Sequence, residues 1–233
     1  MVQPATAWRF ATVLDVRPNG AHGVSVRLDV PDRVDHLPGQ HYVLRLTADD
    51  GYVAQRSYSI ASAPGEPFVE LGVDVLPDGE VSGFLAEVLA IGDQLEVRGP
   101  IGGFFVWDGS RPALGIGGGS GVVPFVSMTR FAASAPGVPA DRLAVVAAAR
   151  TPDDLLYGDE LTAAGATVTY SRAERPGRVA GRLAAADLAP HLRSDQEIFV
   201  CGSAVFAETV SGLLLGLGVA ARDVKVERFG PTG

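Results

Sequence analysis

Ala113-Leu-Gly-Ile-Gly-Gly-Gly-Ser-Gly-Val-Val-Pro124 reads as an apolar strand over 113–116, a glycine-rich turn, Gly117-Gly-Gly-Ser-Gly121, and the opening of an apolar helix. Backbone N–H groups at such a turn, together with the helix N-terminus, can hold a pyrophosphate, and glycines let a ligand come close to the chain. The spacing departs from the dinucleotide fingerprint: it runs Gly119-x-Gly121-x-x-Pro124, with proline where a third glycine or alanine stands. Taken alone, the string is equally a plain strand-to-helix turn with Pro124 in the first helical turn. The rhythm on either side of it decides the fold.

Downstream, apolar strands over 143–149, 167–170 and 197–201 alternate with helical segments, and an alternating strand over 224–229 ends the series. Strands and helices repeating at this length predict a parallel sheet with helices on both faces. Upstream, period-two alternation runs over 10–16, 24–30 and 42–46, each stretch closed by Pro, Gly, Asn or Asp, and reads as a meander of antiparallel strands. Further strands are expected over 57–61, 68–76 and 94–98, with one helix over 81–90; short strands with a single helix predict a small closed barrel. A segment rich in Asp, Gly and Ser over 107–111 is the expected linker. The chain is therefore read as two domains: an antiparallel β-barrel, residues 1–107, then an α/β parallel-sheet domain, residues 108–233.

Composition narrows the function. With 47% hydrophobic and 20% charged residues the 233-residue chain is expected to fold throughout. Its net charge of −8 argues against nucleic acid as a bulk electrostatic partner. No apolar run approaches the ~20 residues that span a bilayer, and the first ten residues lack a cationic-then-apolar leader, so no membrane insertion and a cytoplasmic location are expected. A single cysteine, Cys201, cannot supply the thiolates of an iron–sulfur cluster. His22, His36, His41 and His191 show no metal-ligand spacing and are read as structural or surface residues, so no metal site is expected.

Four further strings point to phosphate-bearing ligands. The second parallel strand ends in Ala149-Arg150-Thr151, where a fingerprint-type NAD site would carry an acidic residue, and the third ends in Tyr170-Ser171-Arg172. Two arginines there suit a 2′-phosphate and favour NADPH over NADH, although each taken singly is an ordinary solvated charge. In the barrel, Arg56-Ser57-Tyr58-Ser59 offers a guanidinium for a phosphate, a ring for a flat heteroaromatic and a hydroxyl for a ring nitrogen or carbonyl. Gly79-Glu-Val-Ser82 opens the barrel's helix, so its unpaired amides and the Ser82 hydroxyl form a second anion site. As isolated strings, these are also a cross-strand core tyrosine beside an edge arginine, and an ordinary helix cap.

In order along the chain, Arg56-Ser-Tyr-Ser-Ile-Ala-Ser62, Gly92-Asp93, Gly99-Pro-Ile-Gly102, Gly117-Gly-Gly-Ser-Gly-Val-Val-Pro124, Cys201-Gly-Ser203 and Glu227-Arg-Phe-Gly230 resemble the ferredoxin-NADP reductase-like flavoproteins. The resemblance covers nearly the whole chain, and the ordered set is far more specific than any one string. It implies that the barrel binds FAD, ahead of FMN, through Arg56, Ser57, Tyr58 and Ser59, with Val73, Asp74 and Val75 lining the cofactor and Gly79, Val81 and Ser82 at its phosphates. It implies that Gly118, Gly119, Ser120 and Gly121 hold the nicotinamide dinucleotide across from the flavin, that Cys201-Gly202 lies near the reacting nicotinamide carbon, and that Glu227 and Phe229 flank the flavin on that side. Ser59, Cys201 and Glu227 are then the groups at the reacting centre. The activity implied is hydride transfer from NAD(P)H to flavin, with a separate ferredoxin or oxygenase component as acceptor; a flavin-binding electron-transfer or regulatory subunit without NADPH turnover is the alternative, and a non-catalytic nucleotide-binding module a third.

Overall fold

Residues 7–229 are described by a computed structural model. Alternation in the first part produces β1 (Arg9–Pro18), β2 (Gly23–Asp29), β3 (His41–Thr47), β4 (Val53–Ser59), β5 (Val69–Asp74) and β6 (Gln94–Ile101), with the helix α1 (Glu80–Glu87) before the last. Their antiparallel order is β4-β3-β6-β1-β2-β5. This corrects the expected meander: β3 pairs with β6, not β2. The edges meet through a bridge between Ile60 and Leu71 and a hydrogen bond from Ala61 N to Glu70 O at 2.7 Å, which closes the barrel beside the end of β4. Ala11, Val13, Val26, Leu28, Leu44, Leu71, Val73 and Val97 fill the interior, and α1 inserts Val81 and Leu85 into it. Burying a leucine such as Leu85 contributes ~1.5–3 kcal/mol. The helix stops at Glu87 rather than near residue 90, and β4 begins at Val53, four residues before the expected start.

The second part contains β7 (Ala113–Gly118), α2 (Val123–Ser134), β8 (Leu143–Ala149), α3 (Gly158–Ala163), β9 (Thr167–Tyr170), α4 (Ala185–Leu188), β10 (Glu197–Ser203), α5 (Ala204–Gly216) and β11 (Val224–Phe229). All five strands are parallel, in the order β11-β10-β7-β8-β9. Alternation sends Leu114, Ile116, Ile198 and Val200 to the face covered by α5, and Ala113, Phe199 and Cys201 to the face covered by α2. Gly115 is where α2 comes closest: a Cβ there would lie 2.4 Å from the Phe125 ring. The expected linker is anchored at its start. Trp107 is fully buried, donates its indole N–H to Arg111 O at 2.8 Å, and meets the Phe131 ring edge-on.

Candidate active site

Strand β7 lies between β8 and β10, so the chain leaves it toward one side of the sheet and later returns on the other. In open parallel sheets the crevice at the carboxyl ends of the strands, at such a switch point, is where ligands bind. The glycine turn stands there. A single 3-10 turn, Gly119–Val122, precedes α2, with Pro124 in the helix's first turn. Gly119 takes a left-handed φ of +57°, and a Cβ on it would face open space. The other glycines answer to the protein itself: a Cβ on Gly121 would lie 2.2 Å from Cys201 O, and one on Gly118 would lie 2.7 Å from the Phe206 ring. Ser120 is half-buried between them. The turn is thereby packed onto the Cys201-Gly202 end of β10, whose Ser203 accepts the Phe206 N–H and caps α5.

Arg150 and Arg172 follow the ends of β8 and β9, with Arg172 N bonded to Arg150 O at 2.8 Å, and both are exposed. Thr151 turns its hydroxyl to Asp154 at 2.6 Å. Asp74, at the end of β5, is half-buried; burial pushes its carboxyl up, against the pull of His22 and Arg150.

In the barrel, Arg56 and Ser57 are exposed on β4, and the Arg56 guanidinium contacts only the neighbouring Gln55 O, at 2.7 Å, among the described residues. Tyr58 is half-buried against the barrel core, and burial pushes its phenol up to about 12. The α1 end differs from expectation in one respect. Ser82 is buried, and its hydroxyl is already used within the loop, accepting from Leu76 N at 3.2 Å and donating to Gly79 O at 3.3 Å. The Val73 and Val81 side chains likewise face the core. What Val73, Val81 and Ser82 can offer a ligand is backbone, whereas Val75 is half-buried; Gly79 caps α1 without a side-chain bond. An open groove passes this helix start, lined by Val75, Leu76, Gly79 and Gly83, with Asp78, Glu80 and Glu87 also on its rim. Arg56 is the one basic side chain among the barrel positions named from sequence.

The two halves meet around Ser59, Glu227 and Cys201. Ser59 faces His41 across the β4–β3 ladder, His41 Nδ1 lies 3.8 Å from Glu227 Oε1, and Glu227 pairs in register with Cys201 of β10, which pairs with Gly117 of β7. Ser59 Oγ and Glu227 Oε2 are buried with no hydrogen-bond partner among the described residues. Orphaned buried polar atoms of this kind call for a ligand or solvent partner. Burial pushes the Glu227 carboxyl up to about 7, and it pushes the fully buried Cys201 thiol well up, with the Glu227 charge adding to it. Phe229 is half-buried against the same cluster as Phe199 and Cys201; the residues after it lie outside those described. His41 was read from sequence as structural. Its place opposite Ser59 is set by strand register, and nothing in its spacing announces it.

Comparison with known proteins finds two family profiles along the chain. The profile described as an oxidoreductase FAD-binding domain matches residues 20–106, and that described as an oxidoreductase NAD-binding domain matches residues 116–212. The chain belongs to the ferredoxin reductase-like flavoprotein oxidoreductases. It is 28% identical, over 99% of its length and 70% of the relative's, to the 2-halobenzoate 1,2-dioxygenase electron transfer component of Burkholderia cepacia. It is 35% identical, over 84% of its length, to the glycine betaine monooxygenase reductase subunit of Chromohalobacter salexigens, of which it spans only 56%. A solved ferredoxin NADP+ reductase from Neisseria gonorrhoeae with bound FAD and NADP has the same fold: TM-score 0.80 at 18% identity, covering 95% of this chain and 98% of that one. The orphaned Ser59 and Glu227 atoms, the exposed Arg56 and the uncapped amides of α1 fit a flavin dinucleotide laid along the barrel.

Proposed function

We propose that this chain is an NAD(P)H-dependent reductase that moves hydride from nicotinamide to FAD and hands the electrons to a separate ferredoxin or oxygenase component. The observation that carries it is the line Ser59–His41–Glu227–Cys201, which brings the flavin string of the barrel and the dinucleotide turn of the sheet to one seam. Bound FAD supplies the chemistry, accepting two electrons together and releasing them one at a time. The division into residues 1–107 and 108–233 belongs to the same reading.

In it, Arg56 pairs with the flavin phosphates and the amides at Gly79, Val81 and Ser82 assist. Tyr58 covers a ring face, Ser59 donates its hydroxyl to the ring, and Ser57, Val73, Asp74 and Val75 supply the surrounding edge. Gly118, Gly119, Ser120 and Gly121 receive the dinucleotide's pyrophosphate. Arg150, Thr151 and Arg172 receive its adenosine end, favouring NADPH. Cys201 and Gly202 wall the nicotinamide pocket with an uncharged thiol, Phe229 covers the outer side, and Glu227 holds a proton near neutral pH at the junction. An oxygenase-type acceptor is supported by what the relatives' names say of those proteins, and a cytoplasmic location by the need for an NAD(P)H supply.

The test is an anaerobic absorbance spectrum of the purified protein, followed by NADPH and NADH in separate cuvettes. Flavin bands that bleach, faster with NADPH, are the expected result. A flavin that neither nucleotide bleaches leaves a flavin-binding subunit, and a colourless protein that takes up no added FAD overturns the assignment from Arg56 onward.

A further inference from the structure

A seam of buried charge joins the two domains, and nothing in the proposed chemistry uses it. Glu70 of β5 is 2% exposed. Its carboxylate accepts from Arg27 Nε of the barrel at 2.7 Å and from Arg130 Nη1 of α2 at 3.1 Å. Arg130 also grips Glu160 of α3 with two bonds, at 2.7 and 2.8 Å, and donates to Ala61 O at 3.2 Å. Ser127, one turn earlier on α2, donates to Ser62 O at 2.7 Å, while Ser62 Oγ accepts from Glu70 N at 3.0 Å. Burial opposes the ionised form of Glu70, but Arg130 and Arg27 outweigh it and hold the carboxyl below its usual range.

Both ends of this seam run straight into the site. Ala61 and Ser62 continue the chain from Ser59, and Ser127 and Arg130 ride on the helix that opens from the glycine turn. Apolar packing alone is non-directional and would let one surface slide on the other. A buried carboxylate held by two guanidinium groups, one of them itself fixed by a two-point grip on Glu160 of its own domain, has a single good geometry. We infer that Glu70, Arg130 and Ser127 are positioning residues: they lock the flavin-binding strand to the nicotinamide-binding helix and so set the distance over which hydride passes. The inference rests on the reductase reading.

Stopped-flow reduction of flavin-loaded Arg130→Gln and Ser127→Ala by saturating nucleotide tests it. Misplacing reacting atoms by 1 Å costs ~10²-fold in rate, so Arg130→Gln is expected to slow bleaching by ~10- to 100-fold and Ser127→Ala by roughly threefold or more. The nucleotide Kd should change by less than about twofold, the long-wavelength charge-transfer band should weaken and the primary deuterium isotope effect should rise, which is the split expected of misalignment rather than lost binding. Arg45→Gln, which breaks an ion pair with Glu96 inside the barrel, should leave the rate as it was. An unchanged rate and band in Arg130→Gln at full flavin content overturns the inference; if that variant does not fold, an unchanged Ser127→Ala does so. Calorimetry of the same proteins gives a second readout: one cooperative transition in the parent, and separated transitions for the two domains in the variants. If neither nucleotide bleaches the parent's flavin, the reductase reading has failed, and the melting pattern still decides whether the seam locks the domains.

Discussion

Glu227→Gln offers a pH-dependent measurement whose sign and size follow from the site. Burial holds this carboxyl at about 7 against an ordinary 4.5, and the side chain is 25% exposed. Between those two values the folded state binds more protons than the unfolded chain, so stability falls as pH rises through the window and levels off above it. At ~1.36 kcal/mol per pH unit, ionised Glu227 costs the folded protein at most about 3 kcal/mol at pH 8 and almost nothing at pH 4. His41, 3.8 Å away, is displaced the other way, its imidazole pushed below the usual value by burial. Burial thus disfavours the charged form of each partner. Glutamine keeps the shape and never ionises, and subtracting parent from variant largely removes the His41 contribution. Thermal melts at matched flavin content should show Glu227→Gln more stable than the parent at pH 8 by up to roughly 6–12 °C, taking ~2–4 °C per kcal/mol for a chain of this size, with the gap closing toward pH 4.5. A gap that is constant with pH, or a variant less stable at pH 8, would falsify the assignment of a buried, proton-holding carboxyl.

Arg56→Ala should elute colourless from gel filtration, and a variant that stays fully yellow removes Arg56 from the flavin site. Arg150→Ala and Arg172→Ala should each weaken NADPH by about tenfold, the low end for an exposed charge-assisted bond, and leave NADH nearly unchanged; equal losses for both nucleotides would show that no 2′-phosphate is read there. Gly121→Ala drives a methyl to 2.2 Å from the Cys201 carbonyl and should destabilise the protein by ~1–3 kcal/mol or more in denaturant titrations, a change that rigid backbone cannot relieve cheaply. Parent-like stability in Gly121→Ala would mean that the turn is not packed on β10.

The parallel half was far more legible than the barrel. β8, β9 and β11 fall on the stretches expected from sequence: β8 is an unbroken apolar run, β9 a short β-branched one, and β11 alternates along the sheet edge. Alternation in the barrel told which side of each strand faces inward, but not which strand lies beside it, and so β3 pairing with β6 across about fifty residues had no local signature. The start of β4 was missed because Val53-Ala-Gln-Arg56 is mostly exposed, at the edge of the sheet, and carries little apolar alternation. Site residues divided in the same way. Arg56, Tyr58 and Ser59 share one short strand and could be read together; His41 acquires meaning only when register sets it opposite Ser59 and the last strand brings Glu227 to it. One signal for the charge seam was available: Glu70 interrupts the apolar run Phe68-Val-Glu-Leu71, and an acid inside a buried strand needs a partner.

The glycines of the string are required for two different reasons. Ligand approach explains glycine where the space beyond the chain is open, and that describes Gly119, with its left-handed backbone and nothing within 4 Å of an added Cβ. Gly118 and Gly121 are instead required by Phe206 and by the backbone at Cys201. These contacts bring the glycine turn against β10, and hence against the strand pair that carries Glu227 to the barrel. Close packing at Gly121 and the buried seam at Glu70 act at opposite ends of one unit, the turn with α2. The first sets where the turn sits in its own sheet, and the second ties the helix to the barrel at Ala61, Ser62 and Glu70. A substitution at Gly121 should therefore disturb stability and nucleotide binding together, whereas one at Arg130 should disturb the rate of hydride transfer while nucleotide affinity stays close to that of the parent.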